Sequence, residues 1–484
     1  FWLKAAPFRP PRAPTGRRAA GRAAAWAMEL VISQIHTLST RNDGDLKKLK
    51  DFLRHEAESL KTNAHHIDQA LDTLDPASHT LGIAFLLAAQ LGAAVFADKR
   101  KTLVYVGNFL KAADEQQLKK ASQPVSTLCR SYAQMAIEDG QAAMVQAVLP
   151  LRCAVEKLRP SAETLTPVHA DFLRVCLKAK AYPFASPVLD QPIYDISMSN
   201  GSSSQMTPQS FLCYFYYGAL LRIGMKEYQL ALQMLLVVLT CPASCLSAIQ
   251  ADAYKKYVLV SLKAHGESQA LPVYASHIVQ RYAAINGYVQ DLAEAFKAGD
   301  TAAMNRVAEE KAAQIQADQN TGLVKQVVAS LQRHKVQLLT KTYLTLSLAE
   351  IAKELGIEES KTAEVEELLF DMISNGEINA RIDQITGNVS FEDDSEDMDS
   401  AMMEKMQDKL ARILELASRL ASFEHEVASS EAYIRKVATL EGDRPWGSAV
   451  QRRTAGGGMV FLHLRRFPVW PVLVPRRLPP GNGG

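Results

Sequence analysis

Residues 335–393 read as three helices followed by a two-stranded wing, at the end of a long run of helical hairpins, and few architectures accommodate that order. Ser347-Leu-Ala-Glu350 is a capping box, in which the Ser hydroxyl and the Glu carboxylate satisfy backbone N–H groups left over at a helix start. A helix begins there, and Gly356 is placed to stop it. Ser360 is placed to cap the next one, whose Val365, Leu368, Leu369 and Met372 are spaced to share one buried face. Asn375-Gly376 ends it. Ile378, Ala380 and Ile382 then alternate with Asn379, Arg381 and Asp383, and after the Thr386-Gly387 turn Val389 and Phe391 alternate again, which is hairpin patterning. The whole is a winged-helix pattern.

A winged helix invites comparison with DNA-binding modules, so the charge on its third helix matters. A helix entering the major groove carries Arg, Lys, Asn or Gln toward base edges and phosphates. This one carries Glu364, Glu366, Glu367 and Asp371 against a single Lys361. Carboxylates facing a polyanion repel it and release no counterions. The segment therefore reads as a protein-docking module, with no nucleic acid as partner.

Upstream, from Met28 to Arg333, amphipathic segments follow one another with short breaks and almost no strand alternation. The breaks at Ala179-Lys-Ala-Tyr, Gly224-Met-Lys-Glu-Tyr, His265-Gly-Glu and Gly299-Asp start 45, 41 and 34 residues apart. Helical-hairpin repeats have periods of roughly 34 to 47 residues. Gly224, Tyr228 and Ala231 match the small, aromatic, small spacing of tetratricopeptide-like hairpins, whereas the preceding unit shows only Tyr182 and Ala185. TPR-like and HEAT-like repeats both remain open. The aromatic run FLCYFYYGAL at 211–220 reads as hairpin packing, because Gly218 and Ala219 permit close helix contact and no cation interleaves the rings to favour base stacking. The apolar run LGIAFLLAAQLGAAVFA at 81–97 falls short of the about 20 residues that cross a bilayer and contains Gln90, so it reads as a buried helix and not as a membrane anchor.

The expected architecture is all-α: a helical-repeat solenoid, a winged-helix subdomain and a long C-terminal helix. Ser199–Ser210 is a polar connection that divides residues 28–205 from 206–393, the latter splitting into a helical part (206–334) and the winged helix (335–393). Beyond an acidic linker, Glu392–Asp399, a single helix is expected over 400–441. Its Met403, Met406, Leu410, Ile413, Ala417 and Leu420 alternate at three and four, and Val427 and Ile434 continue the seam while Glu424 and Glu431 interrupt it. A helix with one apolar seam cannot bury it against itself, so it is built to join a helical bundle with other chains.

The near-neutral total charge conceals a division. Residues 1–27 hold six basic side chains and no acid, and 444–484 hold seven Arg and no acid. With those thirteen set aside, 41 basic side chains face 52 acidic ones over 28–443, which again disfavours nucleic acid. The first stretch, ahead of Met28, is expected to be a non-native extension rather than a transit peptide, and the Gly- and Pro-rich 442–484 a disordered basic tail. The six cysteines, without a signal peptide, suit reduced buried thiols of an intracellular protein. Cys241 and Cys245 form the only close pair and no His cluster completes a zinc site. None of the eleven His forms His-x-His or His-Glu-x-x-His, His65-His66 being the only close pair, and no Gly-rich phosphate loop is present. No catalytic residue, metal or cofactor is expected.

Several stretches carry a resemblance: LDTLDPASHTLG at 71–82, FLCYFYYGALLRIGMKEYQLAL at 211–232, DAYKKYVLVSL at 252–262, NTGLVKQVVASLQRHKVQLLTKTYLTLSLAEIA at 320–352 and MISNGEINARIDQITGNVSFED at 372–393. With these, the chain resembles the PCI domain family shared by the proteasome lid, the COP-9 signalosome and translation initiation factor three, and within it the signalosome branch most. The resemblance covers 206–393 well and 28–205 loosely. The two ends depart from it, and the 190–207 linker is longer and more Ser-rich than in the family. It implies a non-catalytic subunit of a hetero-oligomer, in nucleus and cytoplasm, that removes the modifier NEDD8 from cullins and so acts indirectly on cullin-RING ligases. It implies PCI-domain subunits as partners, engaged through the wing (Ile378, Ala380, Arg381, Ile382, Val389, Phe391) and the C-terminal seam (Met403, Met406, Leu410, Ile413, Leu420, Val427, Ile434). A proteasome-lid or initiation-factor scaffold is the alternative.

Overall fold

Each break read in the sequence separates helices. The computed structural model describes residues 17–39, 43–93, 98–196, 206–285, 287–356, 362–384, 387–391 and 400–442. The helix Pro167–Ala179 gives way to Tyr182–Leu189, Pro208–Gly224 to Tyr228–Thr240, and Gly287–Ala298 to Thr301–Glu310. After His265 the chain takes a longer path, and the next helix starts only at His277. Gly224 belongs where a side chain would not fit: a Cβ there would lie 2.7 Å from the ring of Tyr182 in the preceding hairpin. The small and aromatic residues that suggested a repeat thus meet across successive hairpins. A short parallel pair, β1 (Thr164–Leu165) and β2 (Asp195–Ile196), ties two connections together.

The apolar run at 81–97 forms the helix Thr80–Ala93, with Leu81, Ile83, Leu86 and Leu87 fully buried; residues 94–97 lie outside the described part. Gln90 is tolerated in this core because its amide donates to Asp68 at 2.6 Å. The aromatic run packs internally as expected, with Phe211 and Phe215 ring centroids 4.9 Å apart and Tyr214 buried against His169. Among the described residues, no helix is long and apolar enough to cross a membrane.

Three apolar cores follow one another up to Asp393. The first gathers residues from Met28 to Val188 with Tyr214 and Leu221, the second runs from Leu212 to Leu331, and the third from Val336 to Phe391. The helix Thr321–Thr342 serves two of them: Val324, Val327 and Leu331 point into the second and Val336 into the third, so the division expected at 334/335 falls inside one continuous helix. A buried polar cluster sits at its start, where the ammonium of Lys256 bridges the Asp252 carboxylate and the Asn320 side chain at 2.9 and 3.0 Å.

The winged helix follows. Strand β3 (Thr345–Ser347) leads into the helix Leu348–Leu355, with the Ser347–Glu350 capping box formed and Gly356 at φ 72° closing it. The next helix is Thr362–Ser374; Ser360, expected to cap it, lies outside the described residues, as does Thr386 of the turn. Strands β4 (Ala380–Asp383) and β5 (Asn388–Phe391) form the hairpin. The sheet has three strands, not two, in the order β3-β5-β4, all antiparallel. A three-residue strand is too short to show alternation, which is why β3 does not announce itself in the sequence.

Residues from Asp394 onward form a separate unit. The single helix expected over 400–441 is two, Ser400–Ser429 and Glu431–Gly442. Ser430 interrupts it: its hydroxyl accepts from the N–H of Tyr433 at 3.4 Å, which is an N-cap and starts a new helix. The acidic linker and both basic ends lie largely outside the described residues.

Candidate protein interface

The wing offers its backbone. In an antiparallel ladder, residues alternate between bonding the neighbour on one side and pointing the other way. The N–H of Phe391 donates to the Leu344 carbonyl at 2.8 Å, toward β3, so its partner across β4, Ala380, is a non-bonded pair. By alternation, the N–H and C=O groups of Ala380 and Ile382 face away from β5, onto a free edge. β5 is paired on both sides and has no edge to offer.

Side chains sort the same way. Ile378, Val389 and Phe391 are buried in the third core with Val365, Leu369 and Met372. Ala380 and Ile382 are half-buried and Arg381 is exposed. The sequence reading missed the wall beside this edge. Phe370 is 64% exposed, on the opposite side of its helix from the buried stripe. With Ile373, Ala380, Ile382, Glu366 and Glu367 it lines an open groove of about 1000 Å³ along β4. The available signal was one large apolar residue set among Glu366, Glu367 and Asp371. Those carboxylates lie on the surface of the third helix, where Glu366 accepts from Gln384 at 2.7 Å. The other sheet edge, β3, is flanked by the exposed Leu338, Tyr343 and Leu344.

The seam on the C-terminal helices is exposed along its length. Met403, Met406, Leu410, Ile413, Leu420 and Val427 lie on Ser400–Ser429, and Ile434 on the helix after the Ser430 break, with exposures from 43% to 69%. A contiguous apolar stripe of this extent is unusual on a surface in contact with water.

Among the described residues, no group of three or more His, Cys, Asp or Glu is arranged to hold a metal. Burial pushes the thiols of Cys129, Cys176, Cys213 and Cys241 up, Cys176 to about 12, away from the thiolate a nucleophile needs. His65 sits exposed on a single turn of 3-10 helix.

Helical repeats running into a winged helix are the architecture of a PCI-domain protein, and the PCI domain family model matches residues 292–393. The model for the N-terminal helical repeats of COP9 signalosome complex subunit 3 matches residues 43–279 and runs through the Ser-rich connection. The chain is 33% identical to COP9 signalosome complex subunit 3 of Arabidopsis thaliana, over 85% of this chain and 94% of that protein. It is 29% identical to the Drosophila melanogaster protein of the same name, over 86% of this chain and 96% of that protein. The chain belongs to the COP9 signalosome complex subunit 3 family.

Proposed function

We propose that this chain is a non-catalytic scaffold subunit of the COP9 signalosome, the complex that removes NEDD8 from cullin-RING ligases. It joins neighbouring PCI subunits in nucleus and cytoplasm through its wing edge and through a helical bundle formed by its C-terminal helices. The observation that carries this reading is the free β4 edge, with outward-facing amides at Ala380 and Ile382 beside the exposed Phe370. An unpaired edge is a template for another chain's strand, and apolar side chains beside it add specificity. The carboxylates of the third helix oppose a role on nucleic acid.

Ile382→Pro tests it. Proline on an edge strand removes an N–H that faces solvent in the free chain, so the winged helix should fold. The expected result is unchanged helicity with at least tenfold weaker capture of the adjacent PCI subunit on co-expression. Capture at wild-type strength would contradict edge pairing.

A further inference from the structure

A second site lies near the start of the helical repeats, far along the chain from the wing. The short helix Ile67–Leu71, the apolar helix Thr80–Ala93 and the helix Lys99–Ala112 surround a cavity of about 490 Å³. Leu71, Leu87 and Tyr105 supply its apolar wall, and three exposed carboxylates, Asp68, Asp72 and Asp98, stand around its rim. Asp98 is the N-cap of Lys99–Ala112 and accepts the N–H groups of Arg100 and Lys101 through one oxygen, at 3.0 and 3.5 Å. None of the three carboxylates is paired with a cation among the described residues, and Lys101 is the one basic side chain of the lining. The rim is therefore short of positive charge.

The floor carries the independent observation. Gln90 is fully buried, and its Nε2 donates to Asp68 at 2.6 Å. An ionised carboxylate only accepts, so this bond fixes which end of the amide is the nitrogen. The other end, Oε1, is buried and has no hydrogen-bond partner among the described residues. Its bond to the rim residue Asp68 holds the amide end of Gln90 at the cavity floor. The neighbouring donors are committed elsewhere: the Tyr105 hydroxyl to the Leu71 carbonyl at 3.3 Å, and the Thr102 hydroxyl to the Asp98 carbonyl at 3.0 Å. An acceptor left in this state is costly until a donor reaches it.

These acceptors select the ligand. A buried amide oxygen below a ring of carboxylates calls for a donor that is also a cation. The carboxylates are not grouped closely enough to hold a metal ion. A guanidinium spreads its N–H donors over a plane and can reach an amide oxygen and separate carboxylates together, whereas an ammonium is a compact point charge. The apolar wall suits the methylene stem behind such a head.

We propose that this cavity seats an arginine side chain of a partner subunit. Its guanidinium donates to Gln90 Oε1 and is neutralised by Asp72 and Asp98, and its stem lies against Leu71, Leu87 and the Tyr105 ring. The proposal rests on the scaffold reading only in requiring a partner subunit.

The test places a diazirine analogue of lysine at Lys101 in the full chain, assembled with the other signalosome subunits, and identifies the cross-linked segment by mass spectrometry. Two variants are read beside it. Asp72→Asn/Asp98→Asn removes charge at exposed positions, keeps the N-cap because Asn caps as well as Asp, and should leave the thermal midpoint unchanged. Gln90→Met removes the acceptor at nearly constant volume and leaves the carboxylates in place. The expected result is cross-linking to one subunit at a segment that contains an arginine, with roughly fivefold less product for the Asp72→Asn/Asp98→Asn variant at low salt, an effect that shrinks as salt rises. Changing that arginine to alanine should cause the same loss, and Gln90→Met a loss of about threefold that does not depend on salt. Cross-links to a second copy of this chain, to a segment without arginine, or to nothing would overturn the proposal, as would an unchanged yield from the Asp72→Asn/Asp98→Asn variant. The cross-link to the identified subunit should survive Ile382→Pro, which separates this proposal from edge pairing at the wing.

Discussion

Asp171→Asn is expected to stabilise the folded chain at pH 7.5 by about 2–3 kcal/mol, although most substitutions in a core do the opposite. Asp171 lies buried on Pro167–Ala179, and its Oδ2 has no hydrogen-bond partner among the described residues. Burial raises its carboxyl to about 6, while Arg130, 3.9 Å away, and Arg174 pull the other way without prevailing. Cys129, Cys213 and Tyr217 also face it and supply no compensating charge. Between the ordinary value of 3.8 and about 6 the folded state keeps a proton that the unfolded chain has released, so the cost to stability sets in above 3.8 and is complete above about 6. That penalty lessens as pH falls through 6. His169, two residues earlier on the same helix, works against it: burial lowers its imidazole to about 4, which removes stability as pH falls below its usual 6.5. The two nearly offset in the native chain, so the informative quantity is the difference between variant and native protein. Chemical denaturation at pH 7.5 and pH 5 should show the advantage of the Asp171→Asn variant shrinking by about 1 kcal/mol at the lower pH. An advantage that is absent, or independent of pH, would show that Asp171 is well solvated or paired.

The next residue should behave in the opposite way. Phe172→Ala is expected to cost about 3–5 kcal/mol, the sum of lost apolar burial and the cavity left behind. Phe172 is fully buried, on a helix whose neighbours are Ser122–Asp139, Gln141–Leu158 and Pro208–Gly224. Leu173, Val175 and Cys176 beside it are also fully buried, so three helices would have to shift to close the gap. A loss below about 1 kcal/mol in denaturant titration would mean that this core collapses freely, contrary to the rigid packing described.

How much of this was legible in the sequence depends on where each signal resides. The capping box at Ser347, the stop at Gly356 and the stripe Val365, Leu368, Leu369 and Met372 are local; all are present, with Leu368 half-buried at the stripe's border. Gly224 was legible as a small residue in a hairpin, but its partner Tyr182 lies 42 positions earlier and only the fold brings them together. Strand β3 was hidden because three residues carry no period. The break at Ser430 was masked by a heptad pattern that continues across it into Ile434. In the wing, alternation marked the two hairpin strands but could not say which of them lies at the sheet edge. That assignment needs the pairing of β3 on β5. The groove beside Phe370 and the cavity at Gln90 depend on contacts between separate elements, which no single helix displays.

Beside the β4 edge, the scaffold reading draws on the exposed seam of the two C-terminal helices. The most direct measurement is the mass, by size exclusion with light scattering, of residues 28–443 co-expressed with the other PCI subunits of the signalosome, beside the same chain ending at 399. The account predicts a stable hetero-oligomer with the longer chain, and loss of the bundle partners with the shorter one. A longer chain that remains monomeric beside every signalosome subunit, or a shorter one that assembles equally well, would contradict it.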